Sequence, residues 1–154
     1  AQVAQNRCCM RTLLLSLSLV LVGALTSCGQ PAPSIEFGKA ECAHCRMNVV
    51  DRQYAAALIT EKGRQYVFDD LACMIHFVDK GTVSEEQVAS WYVCDHTHPG
   101  TLIDATQALY IHSDAFRSPM RGDVAAFPAK SDAEQAAPGN DLMDWQAARA
   151  LLAK

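Results

Sequence analysis

The chain has 154 residues, half of them hydrophobic, and 13 basic residues stand against 17 acidic ones, which gives a formal net charge of −4 at pH 7. A chain of this length can bury one core, or two small half-domains that share one. Nucleic-acid binding depends on clustered lysine and arginine residues that neutralise phosphates, so the acidic composition excludes a nucleic-acid partner.

Residues 1–27 have the features of a bacterial lipoprotein signal peptide. Arg7 and Arg11 precede an apolar stretch over residues 13–25, and no acidic residue comes before Cys28. The stretch is too short for a membrane span of about 20 residues but suits a signal-peptide hydrophobic region. It ends in the sequence Leu-Thr-Ser-Cys, which resembles a lipobox. We expect cleavage before Cys28, acylation of its thiol and anchoring to the membrane by lipid, with the protein facing the periplasm.

Residues 28–40 then read as a short proline-containing tether. Without the two leader arginines the chain carries 11 basic and 17 acidic residues, a formal net charge of −6. Gly29, rather than an aspartate, follows the predicted acylated cysteine, which resembles outer-membrane sorting in a cell with two membranes.

The hexapeptide Cys-Ala-His-Cys-Arg-Met over residues 42–47 carries the strongest chemical signal. Cys42 and Cys45 can direct both sulfurs at one ion, and Met47 adds a thioether. Thiolate with thioether favours Cu(I), whereas zinc prefers thiolate, imidazole and carboxylate. A thioredoxin-like CxxC pair normally opens a helix, but Asn48 and two valines make a poor helix start. The pattern favours a soft-metal site over a disulfide or a zinc ribbon.

Two further cysteines leave an alternative open. Cys73 lies in an apolar helical stretch and Cys94 ends a strand-like one, so both are read equally well as buried small residues or as ligands. In an exported protein, four cysteines also fit two disulfides, with three possible pairings.

Hydrophobic patterning predicts a β-β-α-β unit over residues 41–99. Strands are expected over residues 54–60 and 65–68, with a glycine turn between them. Asp69 or Asp70 can cap a helix that runs to about residue 80, and a third strand covers residues 91–95. A capping-box-like turn occupies residues 84–87.

A second, weaker unit of the same kind is expected over residues 100–154. Strand-like stretches cover residues 101–104, 108–112 and 123–127. A helix is expected over residues 131–137, and an amphipathic helix over residues 142–154. The predicted fold class is therefore α+β, with two small β-β-α-β half-domains packed together.

Met120 lies in a turn that Pro119 and Gly122 bracket, where it has no apolar neighbours in sequence. A core role is hard to assign to it. Beside the Cys-Cys-Met hexapeptide, a second methionine on a loop suggests a metal clamp formed by two loops.

His96 and His98 form a His-x-His pair, which is weak evidence for a Zn(II) or Cu(II) site. The sequence contains no Ser-His-Asp order and no phosphate-binding glycine loop. Asp69 and Asp70 are adjacent, so their side chains diverge, and helix capping accounts for one of them. These patterns predict a protein that is not an enzyme.

Taken together, the motifs resemble those of the NosL family of lipoprotein copper chaperones. The resemblance runs in order from Cys28 to the C-terminus. It rests on Cys42-x-x-Cys45-x-Met47, Tyr66-Val67-Phe68-Asp69-Asp70-x-x-Cys73-Met74, Tyr92-Val93-x-Asp95, Ile103-Asp104-Ala105, Ala108-x-Tyr110 and Ser118-Pro119-Met120-x-Gly122.

The resemblance implies Cu(I) binding and delivery to the copper centres of nitrous oxide reductase through an ABC-type membrane complex. Carried over by position, the metal ligands would lie among Cys42, Cys45, Met47 and Met120. Arg46 stands where a glycine is common in the family, which makes the turn less permissive. The alternatives are a thiol-disulfide oxidoreductase that uses the CxxC pair, and a disulfide-stabilised surface lipoprotein without metal.

Overall fold

The structure is a computed structural model that describes residues 32–153. The predicted signal peptide and the acylated Cys28 lie outside the described residues. Within them, short antiparallel sheets combine with short helices, which confirms the predicted α+β class.

The first sheet has four antiparallel strands in the order β2-β1-β3-β4. Its strands are β1 (Ala56–Thr60), β2 (Gln65–Phe68), β3 (Val88–Cys94) and β4 (Leu102–Asp104). The central strand β1 is buried along its whole length, because it is covered on both faces and paired on both edges. Gly63 supplies the left-handed turn residue, at φ 78°, that joins β1 to β2.

Helix α1 (Leu71–Asp79) follows β2 and packs most of its residues into the core. Of the two candidate caps, Asp70 is the one used: its side chain accepts a hydrogen bond from the backbone N–H of Cys73. Gly81 ends this segment in the left-handed region at φ 75°. A 3-10 turn (Glu85–Gln87) precedes β3, so the first β-β-α-β unit has the predicted element order.

The second unit uses different elements from those expected. The strand over residues 102–104 joins the first sheet as β4, through pairing with β3. The second sheet consists of β5 (Leu109–His112) and β6 (Val124–Phe127), followed by α2 (Lys130–Ala136). Met143 then forms a single antiparallel bridge with Tyr110 of β5. This bridge stands where β3 stands in the first unit, so the β-β-α-β order recurs one strand later than the sequence pattern suggested.

The C-terminal helix α3 (Trp145–Leu152) is shorter than predicted, because Asp144 caps it and residues 142–144 precede it. Helix α2 begins at Lys130 and has no side-chain cap, so Ser131 is not the helix start. None of the described helices is long and apolar enough to cross a membrane.

One large hydrophobic cluster joins the two units. Trp145 of α3 packs against Trp91 of β3 with ring centroids 5.4 Å apart, and against Tyr110 of β5 at 6.2 Å. Arg149 lies over both tryptophan rings and pairs with Glu85, which closes the cluster toward solvent. The cysteine-containing turn and the first turn of α1 are therefore supported by a common core.

Candidate metal centre

The CxxC hexapeptide folds into a tight loop that its own backbone closes. The N–H of Cys42 donates to the carbonyl of Met47 over 2.8 Å, and the N–H of Arg46 donates to the carbonyl of Cys42 over 3.1 Å. Arg46 adopts the left-handed conformation at φ 68°, which costs an L-residue free energy that glycine avoids. Arg46 thus occupies the position of the loop where the turn requires a positive φ.

Two neighbouring contacts fix the loop on the domain. The N–H of Ala43 donates to the carbonyl of Val67 in β2 over 2.9 Å. Glu41 and Asn48 form an antiparallel bridge at the base of the loop. No helix begins in residues 46–55, directly after Cys45, as the sequence predicted.

Cys73 enters the site from α1. Because Asp70 caps the helix, Cys73 lies in its first turn, and its side chain meets the CxxC loop. The Sγ atoms of Cys42, Cys45 and Cys73 all lie within 4.8 Å of one another. These three cysteines are named the thiol cluster below. The cluster combines one loop and one helix turn, which come together only in the folded domain.

Burial differs sharply among the three sulfurs. Cys42 and Cys73 are 0% and 1% exposed, whereas Cys45 is only partly buried. A metal ion held by the cluster would therefore be shielded on the side of Cys42 and Cys73 and approachable on the side of Cys45.

Hydrogen bonding and burial give the three thiols different pKa values. The thiol of Cys73 donates to the sulfur of Cys42, and this bond, helped by backbone groups of Cys45, Asp69 and His44, lowers the pKa of Cys42 against the effect of burial. The same bond raises the pKa of Cys73, because its thiol is the donor. Burial raises the pKa of Cys45. The lowered pKa favours the thiolate form of Cys42, and thiolate is the form that binds metal.

Asp69 lies beside this thiolate. It is 1% exposed, and its Oδ1 atom has no hydrogen-bond partner among the described residues. Burial, together with the negative charge on Cys42, raises the pKa of Asp69 to about 6.

The two predicted methionine ligands lie on the CxxC loop itself and on the loop between β5 and β6. Met47 is 57% exposed and Met120 is 41% exposed, so neither side chain is part of the core. The N–H of Met120 donates to Asp70 Oδ2 over 3.0 Å, while the N–H of Cys73 donates to Oδ1 of the same carboxylate over 2.9 Å. The structure therefore brings the backbone of Met120, from the second unit, to the start of the helix that carries Cys73.

The sequence pattern leaves Cys73, like Cys94, equally readable as a ligand or as a buried small residue. Its spacing contains a usable signal: an N-cap aspartate followed three residues later by cysteine places the thiol in the first helical turn, beside whatever precedes the helix. Without the position of the CxxC loop, however, the same residue also reads as a buried core side chain.

Cys94, His96 and His98, the other candidates from the sequence, lie outside the thiol cluster. Cys94 is buried and does not belong to the thiol cluster, and burial raises its pKa to about 11. Two disulfides would need Cys94 to pair with a member of the cluster, and all four cysteines are unbonded in the described residues.

His96 and His98 do not form a shared site. The ring of His96 packs against Tyr54, Phe116 and Phe127, with centroids 5.3, 4.9 and 5.6 Å away, and burial lowers its pKa. His98 is exposed, and its Nδ1 atom lies 2.8 Å from Asp95 Oδ2. The imidazole of His96 is thus half-buried among aromatic rings, and that of His98 is exposed.

Replacing Cys73 by alanine should raise the pKa of Cys42, because the thiol that stabilises the thiolate is removed. We expect less thiolate at neutral pH, measured as ultraviolet thiolate absorbance during a pH titration of the reduced, metal-free protein. Cys94→Ala is the matched control and should leave the neutral part of the curve unchanged. A Cys73→Ala curve that coincides with the wild-type curve would contradict the hydrogen bond.

Comparison with known proteins agrees with this geometry. The model of the NosL family matches residues 35–141, which is more than half of the chain. The crystal structure of the copper chaperone NosL from Shewanella denitrificans is similar, with a TM-score of 0.65 and 21% sequence identity, over 77% of this chain and 95% of that chain. At this identity the likeness shows a shared fold. No curated protein sequence matches the chain. The family match confirms the resemblance predicted from the motifs: the chain belongs to the NosL family.

Proposed function

We propose that this protein binds Cu(I) at the thiol cluster and passes it to a partner, without catalysing a reaction. The observation that carries the proposal is the convergence of Cys42, Cys45 and Cys73, with all three sulfurs within 4.8 Å. Soft sulfur ligands suit Cu(I), and the thioethers of Met47 and Met120 on the neighbouring loops favour Cu(I) over zinc, which binds thioether poorly. Membership of the NosL family, and the fold shared with a copper chaperone, support copper as the metal.

Graded burial supports delivery over storage. Cu(I) accepts two or three sulfur ligands and leaves room for an incoming ligand, so a partner can displace the protein's sulfurs in turn. Cys45 is the partly exposed member of the cluster, and the thioethers of Met47 and Met120 lie on the surrounding loops. We infer that exchange begins on this side, with the methionines as additional, weaker ligands.

A thiol-disulfide oxidoreductase fits the geometry less well. Such an enzyme needs an exposed thiolate that attacks the disulfide of its substrate. Here the thiol with the lowered pKa, Cys42, is 0% exposed, and the partly exposed Cys45 has a raised pKa. The thiol with the lowered pKa and the accessible thiol are therefore different residues. This arrangement suits metal binding better than attack on a disulfide.

By resemblance to its family, we propose that the recipient is nitrous oxide reductase, reached through its ABC-type maturation complex. Delivery to an exported enzyme requires a periplasm-facing chaperone, and the leader with its lipobox-like end supports that location.

The metal preference can be tested by anaerobic titration of the reduced protein with Cu(I), Ag(I) and Zn(II), against a competing chelator. We expect one tightly held Cu(I) per chain and no displacement of it by equimolar Zn(II). Cys45→Ser should lose this affinity, because it removes one of three sulfurs. Cys94→Ser, which alters a buried cysteine outside the cluster, should keep it. Equal affinities of the two variants would count against the site.

Met120→Ala should weaken Cu(I) binding and leave the melting temperature of the metal-free protein nearly unchanged, since an exposed side chain contributes little to stability. Met74→Ala is the contrasting variant: Met74 is 0% exposed, and its truncation should cost about 2–5 kcal/mol of unfolding free energy. Chelator competition and thermal unfolding separate the two effects. A large loss of stability with unchanged affinity in Met120→Ala would make Met120 a packing residue.

Cys28→Ser tests the proposed anchor. The variant should accumulate as an uncut precursor without acyl chains, detected by mass spectrometry, because the acylated thiol is the anchor in the lipoprotein pathway. Normal processing of the variant would rule out the lipobox, and fractionation of the native protein would decide between the inner and the outer membrane.

A further inference from the structure

The buried carboxylate of Asp70 joins two parts of the chain that lie about fifty residues apart. Its Oδ1 atom accepts the N–H of Cys73 over 2.9 Å. Its Oδ2 atom accepts the hydroxyl of Ser118 over 2.8 Å and the N–H of Met120 over 3.0 Å. Asp70 is 2% exposed, so water does not compete for these bonds.

The loop that Asp70 holds is closed on itself. The N–H of Ser118 donates to Asp123 Oδ1 over 3.1 Å, and the N–H of Asp123 donates back to Ser118 Oγ over 3.0 Å. Ser118 Oγ therefore accepts from Asp123 while it donates to Asp70. Arg121 and Asp123 adopt positive φ angles of 61° and 49°, a strained arrangement that persists because the surrounding bonds determine it.

The same loop lies directly against the first turn of α1. A Cβ atom built on Gly122 would stand 3.0 Å from the Cβ of Ala72 and 3.1 Å from Leu152 Cδ2. Ala72 precedes Cys73 in the chain, so the loop lies against the helical turn that carries Cys73, and the glycine permits that close approach.

No cation neutralises Asp70 within the described part of the chain. The ion pairs found there involve other carboxylates, and the three hydrogen-bond donors and the start of α1 stabilise its charge instead. Burying a carboxylate costs free energy, and a helix cap does not require it: the exposed Asp144 caps α3. The additional bonds, to Ser118 and Met120, distinguish Asp70 from an ordinary cap.

These contacts hold the backbone of Met120, whose side chain is exposed. Met120 is 41% exposed, so the bonds at its backbone do not serve to bury it. We propose that Asp70 is a positioning residue, which sets the Met120 thioether beside the thiol cluster and thereby adjusts Cu(I) affinity from the second unit. The inference rests on the proposed copper-binding function and assigns a role to the second aspartate of the Phe-Asp-Asp motif.

Asp70→Asn isolates this role. Asparagine is as good a helix cap as aspartate, so its amide oxygen can keep the bond to Cys73. Its NH₂ group would then face the N–H of Met120, and two donors cannot bond to each other. The substitution should release Met120 while it preserves α1. We expect Cu(I) affinity to fall about 10- to 100-fold, as is common when a group that orients a metal ligand is lost.

The measurements use the full chain, reduced and metal-free, with Cu(I) and a competing chelator under anaerobic conditions. If Asp70 acts through Met120, the double variant Asp70→Asn with Met120→Ala should bind Cu(I) no more weakly than Met120→Ala alone. NMR of labelled methionine methyl groups gives a second readout. Cu(I) should shift the Met47 and Met120 signals in the wild type, but only the Met47 signal in Asp70→Asn.

Two further variants test whether the loss of affinity comes from the contact between Asp70 and the Met120 loop. Asp144→Asn changes the cap of α3, away from the thiol cluster, and should leave Cu(I) affinity unchanged. Ser118→Ala removes one bond to Asp70 and the acceptor of the Asp123 N–H without touching the cap, and should weaken Cu(I) binding in the same direction but less. It also serves as the test if Asp70→Asn fails to fold.

Additive losses in the double variant, or a Met120 signal that still shifts in Asp70→Asn, would overturn the positioning role while copper binding stands. Failure of the wild-type protein to bind Cu(I) would instead overturn the proposed function itself. The two failures are thus distinguishable in one set of titrations.

Discussion

The carboxylate of Asp70 is the contact on which the arrangement of the site depends. It caps the helix that presents Cys73, and it holds the loop that carries Met120. Three donors from the helix and the loop bond to this one buried carboxylate. Moving either the helix or the loop would leave the charge without some of its hydrogen bonds in the protein interior. The spacing between the helix and the loop is therefore set more rigidly than exposed loops usually allow.

Around this contact, the domain separates two requirements of a metal carrier. Tight binding needs sulfurs whose positions are fixed before the ion arrives, and the buried Cys42 and Cys73 meet it, one as hydrogen-bond acceptor and the other as donor. Release needs a ligand that a partner can reach, and Cys45 meets it because it is only partly buried. In the proposed site, the neutral thioethers of Met47 and Met120 would bind Cu(I) more weakly than thiolate and would leave first.

The two β-β-α-β units contribute unequally. The first supplies all three thiols, from the loop before β1 and from α1. In the second, the connection between β5 and β6 over residues 113–123 is much longer than the glycine turn between β1 and β2, and it reaches back to the first unit. A lengthened hairpin connection is an inexpensive change to a fold, because loop-closure entropy grows slowly with length.

Local sequence determined the elements of the first unit and pointed to two of the three cysteines of the candidate site. Alternating and helical patterns predicted the first unit, and the close spacing of Cys42, Cys45 and Met47 predicted a soft-metal loop, because those properties depend on residues near each other in the chain. Motif order was sufficient to identify the NosL family. Tertiary structure decided the rest. The short strand β4 could pair with either sheet, and only packing selects its partner. Cys73 and Cys94 both lie in apolar stretches that fit a buried residue or a ligand, yet α1 brings Cys73 to the thiol cluster and β3 leaves Cys94 outside it. Such a choice depends on contacts between distant segments, which no local pattern contains.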